Sequence, residues 1–216
     1  MTSTPDTLGF RIAHRAMRGD TRRLAAVTAE IAAGRQTCDR TRAAAISDFV
    51  AKLCASVHHH HTVEDEVLWP LLERSAGAAV DLSDLSDDHS ELVPLLEEAR
   101  RAAHAFATGP SPAGRLATVL ATLADLLDEH IQEEERTIFP IIRTYVSAAD
   151  WRMVENEARK GGNIAFELPR IGEYARPEEM AQLRELAGPV LSLMLALTRG
   201  PHRRRRRLIF GPLAEV

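Results

Sequence analysis

Four stretches of the chain place apolar residues at alternating spacings of four and three, the pattern of a helix that turns one face to a core. The first reads Phe10, His14, Met17, Thr21, Leu24, Thr28, Ile31, and the second Ile46, Val50, Leu53, Val57, His60, Glu64, Val67, Leu71. The third is Leu85, His89, Leu92, Leu96, Ala99, Ala103, Phe106, and the fourth Leu116, Leu120, Leu123, Leu127, His130, Glu134, Thr137, Ile141. Local signals set the ends. Thr4-Pro5 opens the first helix and Gly34 stops it; the second runs from about Asp39 to Arg74, with Gly77 beyond. The third comes after the polar stretch Ser83 to Asp88, and the fourth starts at the cap Ser111 with Pro112 behind it. Pro70, Pro94 and Pro140 fall inside helical patterns and should kink them. The expectation is an all-α chain whose first part is an up-down four-helix bundle.

The pattern changes after Tyr145. Ser147 to Asp150 resembles a cap opening a short helix through about Lys160, and beyond it lies a linker containing Pro169 and Gly172. Pro177 begins another helix and Pro189 a further apolar one, and Gly200-Pro201 precedes an arginine run. Residues 1–146 therefore read as the bundle and 147–216 as a helical extension packed on it.

The stripes carry chemistry at the points where they are not apolar. Each contains a histidine, and the second and fourth add a glutamate four residues on, so imidazole and carboxylate lie one turn apart on one face. His60-x-x-x-Glu64 and His130-x-x-x-Glu134 are each succeeded by a second acid and closed by an aromatic-proline pair, Trp69-Pro70 and Phe139-Pro140. The offsets repeat as well: 75 residues from His14 to His89, and 70 from His60 to His130 and from Glu64 to Glu134. With turns near Gln36 and Pro110, all six groups reach one layer to within about a helical turn. Six polar groups in an apolar seam need a partner to offset desolvation, and nothing basic shares their stripes. A symmetric two-metal centre supplies that partner. His58, His59 and His61 adjoin His60, but only His60 fits both the stripe and the repeat; His61, with Asp65, is the alternative. His104 and His202 fall off the seam and read as solvated. Asp65, Glu66, Glu133 and Glu135 read as surface acids, one of which could orient a ligand histidine.

Composition narrows the classes. Apolar residues make up 45% of 216 and aromatic ones 5%, a helix-favouring mix that can bury a core. A net charge of -4 gives no global reason to expect nucleic acid, although positions 199 to 216 carry six arginines against Glu215 alone. Cys38 and Cys54 form neither a zinc spacing nor a disulfide framework and read as thiols of a reducing compartment. The N-terminus has no signal-peptide pattern, and the longest near-apolar run, Val190 to Leu197, is short of a membrane span. The expected location is the cytoplasm.

The order His, His-x-x-x-Glu, His, His-x-x-x-Glu over residues 6 to 146 resembles the hemerythrin-like family, or HHE cation-binding domains. The resemblance implies a four-helix bundle around two iron ions with an oxo or hydroxo bridge. It makes His14 and His60 ligands of one iron and His89 and His130 of the other, with Glu64 and Glu134 bridging. Manganese or zinc could load the same donors. The oxygen-carrying branch has a further histidine at the position of Val93, so the five-histidine carrier set is incomplete here. The implied function is binding or sensing of O2, nitric oxide or peroxide. The alternatives are a di-iron peroxidase or catalase-like enzyme, and an interaction protein with a structural metal centre and an unidentified protein partner. For Pro189 to Phe210 the simpler reading is a late helix packed on the bundle with a solvated arginine end; peripheral attachment to anionic lipid is the other. No nucleic-acid partner is expected, since no aromatics interleave with the arginines.

Overall fold

The computed structural model describes residues 4–108 and 113–211, and every regular element among them is helical. Helix α1 (Leu8–Ala32) ends where Gly34, at φ +71°, takes the left-handed conformation and its N–H donates to Ile31 O at 3.0 Å. The Asp39 carboxylate accepts from Arg42 N at 2.7 Å and starts α2 (Arg40–Val63). That helix continues through a π-helical turn over Glu64–Leu68 into α3 (Trp69–Ala76). Helix α4 (Ser83–Thr108) begins earlier than its polar first turns suggest, because the Asp81 carboxylate accepts from both the backbone N and the hydroxyl of Ser83. Helix α5 (Ala113–Tyr145) runs unbroken through Pro140, as α4 does through Pro94. The cap expected at Ser111-Pro112 lies outside the described residues.

Helix α1 packs along α5, α5 along α4, α4 along α2, and α2 against α1, closing a ring of four. Two apolar clusters fill it. One is built on Leu24, Ile46, Phe49, Leu53, Leu92, Leu120 and Leu127; the other on Leu68, Trp69, Leu72, Leu85, Ile138, Phe139 and Trp151. Each fully buried side chain of this kind contributes about 1.5–3 kcal/mol. In sequence, the polar residues of the second and fourth stripes fall at the junction of the two clusters.

The C-terminal third departs from its sequence reading in two places: the apolar run after Pro189 stays exposed while Arg206 of the arginine end is buried, and a helix replaces the linker. Helix α6 (Ala148–Lys160) is capped by the Ser147 hydroxyl, which accepts from Asp150 N, but the expected linker around Pro169 and Gly172 is a helix, α7 (Ile164–Tyr174). Its start is fixed by the Asn163 side chain accepting from Phe166 N, and burial of Phe166, Leu168 and Arg170 outweighs the hydrogen bond Pro169 forfeits. Gly172 is there for close approach: a Cβ on it would sit 2.9 Å from Leu195 Cδ2. Helix α8 (Pro177–Phe210) is broken at Gly188, φ +66° and ψ -164°, into the two segments expected at Pro177 and Pro189. Helices α7 and α8 pack on α1, and α6 and α8 on α2. Phe166, Ile209 and Phe210 join the first apolar cluster.

A buried charge network ties these pieces together. Asp20, wholly buried on α1, accepts from Arg170 Nε at 2.6 Å, Tyr174 OH at 2.7 Å and Arg206 Nη1 at 3.0 Å. The Tyr174 ring lies over Gly19, where an added Cβ would come within 2.3 Å of it.

Candidate metal centre

The π turn at Glu64–Leu68 is the local feature that shapes the site. Such turns insert a residue into an α-helix and re-aim the side chains beside it. Here both His60 and His61 reach the interior, His61 being buried, while His58 is exposed and His59 turns outward with Nε2 2.9 Å from Ala158 O. A Cβ on Gly161 would collide with the His59 ring at 2.4 Å, so glycine is needed for α6 to close on α2.

All six residues expected from sequence converge, and His61 joins them. His14, His60, Glu64 and Glu134 form one group of potential donor atoms within 4.8 Å of one another, and His61, Glu64, His89 and His130 form a second. His14 Nε2 is 3.1 Å from His60 Nε2, and His89 Nε2 is 3.2 Å from His130 Nε2. Glu64 belongs to both groups. Its Oε1 is 2.8 Å from His60 Nε2, and its Oε2 is 3.5 Å from His89 Nε2. Glu134 Oε2 lies 3.3 Å from His14 Nε2.

Carboxylates on the far side of three imidazoles fix their orientation. His14 Nδ1 is 3.0 Å from Glu135 Oε1, His89 Nδ1 is 2.8 Å from Asp65 Oδ1, and His130 Nδ1 is 3.1 Å from Asp88 Oδ2. An ionised carboxylate only accepts, so each Nδ1 carries the proton and each Nε2 presents a lone pair. At His89 and His130 two such lone pairs point at each other, an arrangement that repels unless a cation lies between them. Both oxygens of Glu64 and Glu134, and Nε2 of His61, are buried without an aligned hydrogen bond from any described residue. Five orphaned buried atoms facing one space fit a metal ion of positive charge and vacant orbitals.

Titration points the same way. Burial pushes the Glu64 carboxyl well above its ordinary value; burial and the neighbouring Glu64 charge do so for Glu134. Burial, with like charge from neighbouring imidazoles, lowers His60 to about 3 and His130 to about 4, and takes His61 well down. Burial raises Glu135 as well, but its hydrogen bond from His14 prevails and leaves it below its ordinary value. Glu64, Glu134, His60, His61 and His130 are thus held mostly neutral without a cation. Apolar and aromatic surfaces wall the site: Phe10 packs 4.6 Å from His14 and 5.1 Å from His60, and Trp69 stacks on His89 at 5.8 Å.

Sequence reasoning offered His61 only as a substitute for His60, since a regular helix cannot turn both to one seam. Val93, where the carrier's fifth histidine was sought, is 46% exposed, and His61 brings a fifth imidazole from α2. The expected off-seam residues stay off it, but only His104 is exposed; His202, expected to be solvated, is largely covered and pairs with Glu173 at 2.8 Å. Asp65, expected as a surface acid, is the partner of His89 rather than of His61. Cys54 is buried, its thiol pushed up to about 12 chiefly by burial, and takes no part in either group.

The hemerythrin HHE cation binding domain matches residues 9–142. The chain belongs to that family. It is also similar to a protein described as a DNA nickase from Nostoc sp. (strain PCC 7120 / SAG 25.82 / UTEX 2576), 30% identical over 103 residues, which is 48% of this chain and 27% of that one. The chain spans about a quarter of that relative's length. No solved structure matches.

Proposed function

We propose that residues 1–146 form an up-down four-helix bundle of the hemerythrin kind, holding two iron ions that bind or sense O2, nitric oxide or peroxide. His14, His60 and Glu134 would hold one ion, His61, His89 and His130 the other, and Glu64 would span them. The observation that carries this reading is Glu64: its two orphaned oxygens face separate histidine pairs, the arrangement a bridging carboxylate needs. Iron at such a site supplies redox chemistry and coordination positions for a small ligand; manganese or zinc can load the same donors. The chain's own residues bind the ions, orient the imidazoles through Glu135, Asp65 and Asp88, and hold an apolar wall of Phe10, Trp69 and Phe139 against water.

The test is metal content and optical spectrum after anaerobic iron loading, before and after O2, nitric oxide and peroxide. We expect about two irons per chain, loss of both in Glu64→Ala, and no change in His104→Ala. A chain that stays metal-free would sink the proposal. A lasting adduct with one ligand supports binding or sensing; metal-dependent turnover of peroxide, abolished by His89→Ala, supports an enzyme instead.

A further inference from the structure

Helix α8 leaves its apolar side uncovered. Val190, Leu193, Met194, Leu197, Pro201, Arg204 and Leu208 keep helical spacing along one face and all are exposed, Val190, Leu193 and Leu197 by 62–69%. Between Gly188 and Gly211 the chain carries six arginines and no acidic residue. Arg206 is buried against Asp20 and Arg205 reaches Asp48 at 3.5 Å. Arg199, Arg203, Arg204 and Arg207 are exposed and make no ion pair among the described residues.

We propose that this face docks the protein peripherally on an anionic lipid surface. The apolar stripe carries Arg204 on its face with Arg205 beside it, and together they match the acyl boundary and the charged headgroups of such a surface, whereas Arg199, Arg203 and Arg207 recur four residues apart on the other side of the helix and line the groove against α7. A second copy of the chain fits less well, since pairing two such faces brings like charges together. Nucleic acid would answer the arginines but leave Val190, Leu193 and Leu197 in water. By length and composition α8 also meets the measure of a membrane-spanning helix. Its two ends, however, are fastened to the same bundle. Arg15 pairs bidentately with Glu179, and Gln182 Nε2 donates to Asp6, while at the other end Arg42 donates to Ile209 O and Arg206 holds Asp20. With both ends held, and Gly188 bending it, the helix lies along the surface and does not cross.

The test is co-sedimentation of the full, metal-loaded chain with vesicles of equimolar phosphatidylglycerol and phosphatidylcholine at low salt, against phosphatidylcholine alone. Binding is expected to the anionic vesicles only, to weaken with salt, and to fall about fivefold for Arg204→Gln and by less for Arg203→Gln, whose side chain faces α7. Leu193→Glu with Leu197→Glu should abolish it while metal content and helix signal stay unchanged, since both side chains are already exposed. Three results would overturn the proposal: no pelleting with either vesicle; a concentration-dependent dimer in sedimentation velocity that the leucine changes dissociate, without vesicle binding; or binding to a DNA duplex that the arginine changes abolish and the leucine changes do not.

Discussion

His61 shows what one residue can add to a pattern without appearing in it. In a run of four histidines, periodicity selects His60, because a regular helix turns neighbours about 100° apart. The π turn just beyond lies beside two rings that both reach the donor cluster, and its cause is hidden in the sequence: the matching pair in the copy, Phe139-Pro140, has no such turn before it, and α5 passes Pro140 intact. The other six site residues were legible because each interrupts an apolar stripe and the interruption occurs twice. Replacing His61 with alanine should lower bound metal from about two toward one per chain, while His58→Ala leaves it at two, as metal analysis after loading would read. Loading should also depend on pH in a definite direction. The Glu64 and Glu134 carboxyls, raised by burial, favour the metal-free fold most below about 4.5 and lose that contribution as pH rises through their folded values. The imidazoles, lowered to about 3 and 4 at His60 and His130, contribute fully above 6.5 and lose it as pH falls. Metal binding needs both sets deprotonated, so affinity should rise with pH and loading should release protons. Calorimetry in two buffers of different protonation enthalpy reads that release directly.

Among the elements, α7 and the uncovered face of α8 are the two that the sequence hides. Pro169 and Gly172 look like helix breakers in a single sequence, yet glycine in this helix serves to admit Leu195, a role visible only when α8 is in place. The same holds at Gly19, inside α1 and without local reason to be small. A Cβ there meets the Tyr174 ring, whose hydroxyl is bound to Asp20. Gly19→Ala should therefore loosen α7, at a cost of about 1–3 kcal/mol. A lowered melting temperature with metal content retained is the expected signature; an unchanged melting temperature would mean that the ring moves aside freely.

For the whole molecule, the four apolar stripes gave the ring of helices, and the alternation of breakers gave most of the helices beyond Tyr145. The charge network could not be read, because Asp20, Arg170 and Arg206 are 150 and 36 residues apart in sequence and ordinary on their own helices. Arg170 and Arg206 each have a second, more exposed partner, Glu167 at 2.7 Å and Glu173 at 2.9 Å, but Asp20 is the wholly buried carboxylate between them, and removing it leaves two buried guanidiniums under-paired. Asp20→Ala should cost about 3–5 kcal/mol, read as a shift in the denaturant midpoint, and exceed the effect of removing any exposed pair such as Arg100 and Glu97.

The aromatic contact between α2 and the last helices bears on how this protein could be dissected. Phe49 packs edge-on against Phe166 at 5.2 Å and Phe210 at 5.8 Å, so its ring is shared by segments on both sides of residue 146. Trimming the gene to the stretch that the family match covers would strip two of its neighbours and leave Asp20 without its guanidinium partners. Such a fragment could still carry every donor of the metal centre and yet clump in the test tube. A soluble minimal version would need Phe49 and Asp20 replaced by polar, uncharged side chains in the same step as the cut.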